Sequence, residues 1–217
     1  FIVCGDADID RAVESAIASR FLNCGQSCIG AKRFIVHVSV YDEFLLKFKL
    51  RIQELKVGDP QLEETDIGPL ADYRFKNELE DQIKNCVQLG GVLFGGESLR
   101  GALITPGFLS KIDNSARVFK EEIFGPIASF YTFNSIEEAI ESANCTPFGL
   151  ASSVWVKDEN NVQLLIDNLD CGAVFVNEMV KSDPRLPFGG VKKSGYGREL
   201  AREGMLEFMN VKTVVRH

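Results

Sequence analysis

Cys28 lies in a run of small and polar residues, Asn23-Cys-Gly-Gln-Ser-Cys28, between a helical pattern that ends near Phe21 and a β-branched run that starts at Arg33. Loops held at element ends by a rigid scaffold are where reactive residues concentrate. The thiolate is the nucleophilic form of cysteine, and nearby backbone N–H donors favour it. The competing reading of an arbitrary cysteine is a small side chain buried in a turn. The polar or small neighbours Asn23, Gly25, Gln26 and Ser27 argue against that for Cys28, whereas Cys24 reads as a packing residue. The other four cysteines are Cys4, Cys86, Cys145 and Cys171, with no Cys-x-x-Cys pair among the six. The two histidines are His37, inside the strand-like Phe34-Ile-Val-His-Val38, and His217. That inventory offers no zinc-type ligand set, so no metal is expected, and the thiols read as reduced. A nucleophile in this chain must find a base other than histidine.

Two further stretches stand out. In Phe119-Lys-Glu-Glu-Ile-Phe-Gly-Pro126, a carboxylate sits beside an aromatic residue ahead of a Gly-Pro turn. Such a pair suits a sugar or nucleotide, the acid accepting from hydroxyls while the ring stacks on a planar group; taken alone, paired acids are more often a solvated face. In Leu186-Pro-Phe-Gly-Gly-Val-Lys-Lys-Ser-Gly-Tyr-Gly-Arg-Glu-Leu200 the glycines suggest a phosphate loop. The Walker spacing is absent, however, and the third glycine of a dinucleotide fingerprint is missing. By composition this stretch is an irregular crossing that needs positive φ angles.

The elements that must position these residues follow from apolar periodicity. Asp8 to Phe21 spaces Ile9, Ala12, Val13, Ala16, Ile17 and Phe21 as one helix face, with acidic residues at the start where the helix dipole favours them. Further helices are predicted over 41–55, 72–89 (ending at Gly90-Gly91), 135–143, 159–169 and 198–208. Strands are predicted at 1–4, 33–40, 92–94, 127–133, 151–156, 173–176 and, at the end, 211–215. Strands alternating with helices over 217 residues, with 45% hydrophobic residues, imply an α/β domain with a largely parallel sheet. The net charge of −7 lacks the basic footprint of a nucleic-acid binder. No apolar run approaches the ~18 residues of a membrane helix, and no signal segment opens the chain, so a cytoplasmic protein is expected. Phe1 begins inside a strand, which leads us to expect a fragment of a longer chain. The terminal strand has exposed edges and needs a partner.

The three stretches in this order, Asn-x-Gly-Gln-x-Cys, Glu-Glu-Ile-Phe-Gly-Pro and Pro-Phe-Gly-Gly-x-x-x-Ser-Gly-x-Gly-Arg-Glu, resemble the aldehyde dehydrogenase superfamily. The resemblance covers the whole chain but only the second half of the family's chain. It implies a three-layer α/β catalytic domain over 1–208, an oligomerisation strand over 209–217, and a cofactor-binding domain upstream of Phe1. It implies that Cys28 is the nucleophile, attacking an aldehyde to give a thiohemiacetal that surrenders hydride to NAD or NADP. The resulting thioester is hydrolysed to the acid, and the Cys28 N–H forms half of the oxyanion hole. Glu122 resembles the acceptor for nicotinamide-ribose hydroxyls and Phe124 the aromatic that positions the nicotinamide. Phe188 resembles an aromatic wall of the aldehyde tunnel. Asn23 and Gln26 belong to the nucleophile motif as supporting residues, and Asn177 resembles a residue that supports the catalytic loop. The family's general base, in a Glu-Leu-Gly-Gly motif, and its oxyanion asparagine lie upstream, so this chain alone is expected to turn over negligibly.

The stretches Ser182-Asp-Pro-Arg185, Gly30-Ala-Lys-Arg33, Gly58-Asp-Pro60 and Asp66-Ile-Gly-Pro69 look most like bacterial and archaeal succinate semialdehyde dehydrogenases. On that resemblance Ser182 or Arg185 pairs with a substrate carboxylate, an Arg–carboxylate fork being the strong version. Leu22 departs from the arginine that some of that branch carry before the motif asparagine. Gly30 stands where some relatives place a second cysteine, which leaves Cys24 as the partner in any disulfide switch. The family also implies a homo-oligomer, a dimer or tetramer. The competing readings are a coenzyme-A-acylating aldehyde dehydrogenase and a non-catalytic paralogue that serves as a binding or structural protein.

Overall fold

The computed structural model describes residues 1–217. Nine strands form: β1 (Ile2–Val3), β2 (Arg33–His37), β3 (Val92–Gly95), β4 (Gly107–Ser110), β5 (Ile127–Phe133), β6 (Phe148–Gly149), β7 (Ser152–Trp155), β8 (Val174–Val176) and β9 (Val191–Lys192). Seven of them build one sheet in the order β3-β4-β5-β2-β1-β7-β8, while β6 and β9 pair as a separate antiparallel ribbon. Within the large sheet every pair is parallel except β3–β4. The helices are α1 (Ile9–Phe21), α2 (Tyr41–Glu54), α3 (Tyr73–Gln88), the single turn α4 (Arg117–Lys120), α5 (Ile136–Asn144), α6 (Glu159–Asn168) and α7 (Ala201–Leu206). This is the α/β architecture expected from the alternation of patterns.

Side-chain alternation along the strands sorts the core into layers. Phe34, Val36 and Phe130 face α1 and α2, where Ala12, Val13, Ala16, Phe44 and Phe48 pack on them. Ile35, Tyr131, Phe133 and Val154 face the other way, against Ala139 of α5 and Leu165 of α6. A third cluster joins Leu79 and Ile83 of α3 to Val118, Leu109 and Ile127. The first layer is rich in aromatics: Phe34 and Phe130 stack at 5.1 Å and Phe48 meets Phe130 edge-on at the same separation. Each such fully buried ring contributes about 1.5–3 kcal/mol. Asp8, Asp72, Ser135 and Asp158 accept from backbone N–H groups at the starts of α1, α3, α5 and α6, and Gly90, at φ 95°, follows the end of α3.

Several elements differ from expectation. The short elements β4, β6, β9 and α4 were not anticipated, β4 because Gly107-Phe-Leu-Ser110 follows Pro106 and carries no β-branched residue, and β2 ends at His37 rather than running to residue 40. The helix expected over 198–208 is only α7, because Leu200 and Ala201 take left-handed φ angles of 65° and 49° and delay its start. Residues 211–215 form no strand within this chain; Val211 is 92% exposed and Val215 73%, with no edge pairing them. No helix is long and apolar enough to cross a membrane.

Candidate active site

The buried stripe of α1 delivers the chain to a tight reversal. After Phe21 a short 3₁₀ turn, Leu22–Gly25, places Asn23 (φ 49°), Cys24 (φ 57°) and Gly25 (φ 75°) in the left-handed region in succession. Asparagine tolerates that region and glycine favours it, while Cys24 holds it at a cost of about 1–2 kcal/mol. The turn is fastened from several sides. Asn23 Nδ2 donates to the Gln26 carbonyl (3.0 Å), and Gln26 Oε1 accepts from the Ala71 N–H (2.9 Å). Cys24 Sγ accepts from the Gly68 N–H (3.2 Å) and its side chain packs on the aromatic core, the packing role expected of it. Cys28 is exposed, and both its Sγ and its backbone N–H are free of hydrogen bonds to protein.

The second motif meets this turn because β2 and β5 are parallel neighbours. With Arg33 opposite Ser129, the segments leading into the two strands arrive side by side at their amino ends. Open α/β sheets usually carry ligands outside the carboxyl ends of their strands; here the chemistry-bearing side chains gather at the opposite edge. Two cations bind the segments together. Arg20 is fully buried, and its Nη2 donates to the carbonyls of Gly25 (2.7 Å) and Gly125 (2.6 Å), while Nη1 donates to Ala31 (2.8 Å). Burial pushes its guanidinium down to about 10, with the charge of Glu122 opposing, so it stays protonated at neutral pH. Lys32 donates to the carbonyls of Ser27, Cys28 and Gly30 and pairs with Glu122 Oε1 at 3.0 Å. Burial lowers its ammonium below the usual lysine value, with the Arg20 charge adding to the shift and Glu122 opposing it.

Glu122 and Phe124 thus stand beside the Cys28 turn. The second carboxylate oxygen of Glu122 has no protein partner, and the half-exposed Phe124 ring packs on Phe75 at 5.9 Å. A free carboxylate oxygen next to an accessible ring fits a ribose hydroxyl and a nicotinamide face. A cavity of about 370 Å³ opens between the segments, with Cys28, Lys32, Glu122, Ser129, Phe148 and Ser194 on its wall. The third motif contributes Lys193 and Ser194 to this wall, and Ser194 Oγ accepts from the Gly149 N–H at 2.9 Å.

Asn23, Gln26 and Phe124 stand next to this cavity without lining it, and four further anticipated residues lie away from it. Phe188 is buried, its backbone exchanging hydrogen bonds with Glu199, and it does not line the wall. Asn177 sits beyond the carboxyl end of β8, its side chain bonded to both the N–H and the carbonyl of Val156; it secures the far edge of the sheet rather than the Cys28 loop. Ser182 is exposed, and Arg185 is turned to solvent with its guanidinium held by Asp183 at 2.6 Å.

Arg20 and Lys32 were not anticipated as site residues. Arg20 carried a readable signal, since it continues the Ala12, Val13, Ala16, Ile17 stripe and therefore had to be buried. Lys32, next to Arg33, read as one more surface charge.

The aldehyde dehydrogenase family model matches residues 1–214. The chain is 47% identical to the NADP(+) succinate-semialdehyde dehydrogenase 1 of Mycobacterium tuberculosis, covering 99% of this chain and 48% of that protein. It is 46% identical to the corresponding NADP(+) enzyme of Mycobacterium leprae with the same coverage. Among solved structures, succinate-semialdehyde dehydrogenase from Burkholderia pseudomallei superposes with a TM-score of 0.93 at 38% identity, over 96% of this chain and 44% of its own. The chain therefore spans about half the length of the relatives it matches. With the match running nearly end to end and the Cys28 turn, the Glu122 segment and the Ser194 segment gathered around one cavity, the chain belongs to the aldehyde dehydrogenase family.

Proposed function

We propose that this chain carries the nucleophile of an enzyme that oxidises an aldehyde to its carboxylic acid, with succinate semialdehyde as substrate. The observation that carries the reading is the exposed Cys28, with its thiol and N–H both unengaged, set beside the Glu122–Phe124 pair. Cys28 Sγ adds to the aldehyde carbon, and the oxyanion so formed receives the Cys28 N–H. Loss of hydride converts this adduct to a thioester on Cys28, and water cleaves the thioester to release the acid and the thiol. A nicotinamide cofactor, when bound, supplies the hydride acceptor; Glu122 would hold its ribose and Phe124 its ring. The relatives named as NADP(+) enzymes favour NADP, and their names also favour the semialdehyde substrate. The general base and the second oxyanion donor are assigned to sequence outside these 217 residues, so the isolated chain forms the adduct but does not turn over. Residues 211–215, apolar and unpaired, are assigned to strand pairing with a second subunit in a homo-oligomer.

Iodoacetamide labelling of the 217-residue chain, with each cysteine followed by mass spectrometry, tests the reading. Modification of Cys28 well ahead of Cys145, which is also exposed, supports it. Six slow cysteines would instead indicate a binding or structural protein, and steady NAD(P)H formation by the chain alone would overturn the assignment of the base elsewhere.

A further inference from the structure

Lys32 has more acceptors than it has protons to give. Its Nζ lies 2.6 Å from the Ser27 carbonyl, 3.0 Å from that of Gly30, 3.1 Å from that of Cys28 and 3.0 Å from Glu122 Oε1. An ammonium carries three N–H donors. The three carbonyls of the turn would satisfy it completely, so a lysine serving only as a staple for that turn has no need of the carboxylate. The same nitrogen stands 6.0 Å from the centre of the Phe124 ring. Its side chain is only 15% exposed, whereas that of Glu122 is 37% exposed and keeps one oxygen unpartnered. The cation is therefore the fixed partner and the carboxylate the one with freedom to lose.

We propose that Lys32 is a positioning residue that fixes Glu122 to the Cys28 turn, so that one ammonium sets the nucleophile and the cofactor-binding carboxylate relative to each other. This rests on the reading of Glu122 given above. Holding one oxygen of Glu122 restricts rotation of the carboxylate and leaves the other oxygen in one place for a ribose hydroxyl. It also ties the backbone on both sides of the Cys28 thiol to the same point. Arg20 lies behind it as a second, fully buried cation and adds to the field on Glu122 without touching its side chain.

The test is a double-mutant cycle on the enzyme at its full natural length, reading the KM for NADP⁺ and kcat separately, with melting temperature as control. Glu122→Gln is expected to raise the KM by about tenfold, the scale of losing one charged hydrogen bond. Lys32→Met is expected to raise it comparably, with a smaller effect on kcat, and the double variant to be no worse than Glu122→Gln alone, because the two residues act as one unit. Lys32→Gln, which keeps a donor for the turn carbonyls but carries no charge, should melt like the wild type and still raise the KM; it carries the same cycle if Lys32→Met does not fold. An unchanged KM in Glu122→Gln would sink the assignment of Glu122 and this inference with it. A raised KM in Glu122→Gln that is unaffected by either Lys32 variant, or effects that multiply in the double variant, would overturn the role of Lys32 alone.

Discussion

Gly25 and Gly125 present their carbonyls to the same nitrogen of Arg20, at 2.7 and 2.6 Å, and this shared donor is what brings the Cys28 turn against the Glu122–Phe124 segment. The approach leaves no room for a side chain. A Cβ at Gly25 would fall inside the Gly125 carbonyl and against the Arg20 guanidinium, at a φ of +75°. Gly25→Ala is therefore expected to lose about 2–4 kcal/mol in urea unfolding and to label at Cys28 with altered kinetics, because relief of the clash must move one segment away from the other. Unchanged stability would show that the two segments separate freely.

Arg20 itself should be harder to replace than a surface arginine. Arg20→Met keeps the apolar bulk but leaves the buried Gly25 and Gly125 carbonyls and the half-buried Ala31 carbonyl short of a donor, an expected loss of about 3–5 kcal/mol. Adding guanidinium at low millimolar concentration, below any denaturing effect, is expected to restore part of the Cys28 labelling rate by occupying the vacated site. Sodium chloride at equal ionic strength should not, and equal rescue by both salts would reduce Arg20 to a generic charge.

Much of the architecture was legible because it rests on periodicity. Strand β5 and the helices α1, α2 and α3 fall where their apolar spacing and caps place them, within a residue or two. The Cys28 turn and the Glu122 segment were legible as motifs, but their adjacency depends on the β2–β5 register, which no local pattern encodes. Asn177 and Arg185 show where a motif stops short of placing a side chain. Each sits in a family-like stretch, and a near partner, Val156 for one and Asp183 for the other, holds its polar atoms in the structure. Lys32 was missed because its role comes from four acceptors that converge only after folding.

Cys4 should report on global opening. It is 4% exposed in the layer beneath α5 and α6, and burial, with a lesser contribution from Asp6, pushes its thiol up to about 12. At neutral pH it is expected to react with iodoacetamide only when the sheet unfolds, so its labelling rate should rise with urea in step with loss of circular dichroism. The unfolded chain releases this proton near pH 9 and the folded chain does not. Cys4 therefore subtracts from stability as pH climbs above about 9, and a Cys4→Ala variant should show a shallower alkaline decline.

Acid should loosen the wall of the site from the side of α3. Glu121 is held below the ordinary glutamate value first by its hydrogen bond from Arg117 and then by Gln82 of α3. Asp72, which caps α3, is lowered chiefly by the Arg74 N–H. A carboxylate depressed in the fold adds stability above its unfolded value, here 4.5 for Glu121 and 3.8 for Asp72, and that stability is lost as pH falls through the folded value. Gln82 also donates to the Glu122 carbonyl at 3.2 Å, so α3 and the Glu122 segment share these supports. Below about pH 4, hydrogen-exchange protection, taken relative to the intrinsic rate at each pH, is expected to fall over 72–89 and 119–126 before it does over α1 and β2. In Glu121→Gln the acid-dependent part of that loss should shrink, because the neutral amide cannot titrate. Uniform exchange across the chain, with no difference between the variant and the wild type, would show that these carboxylates do not govern the edge of the site.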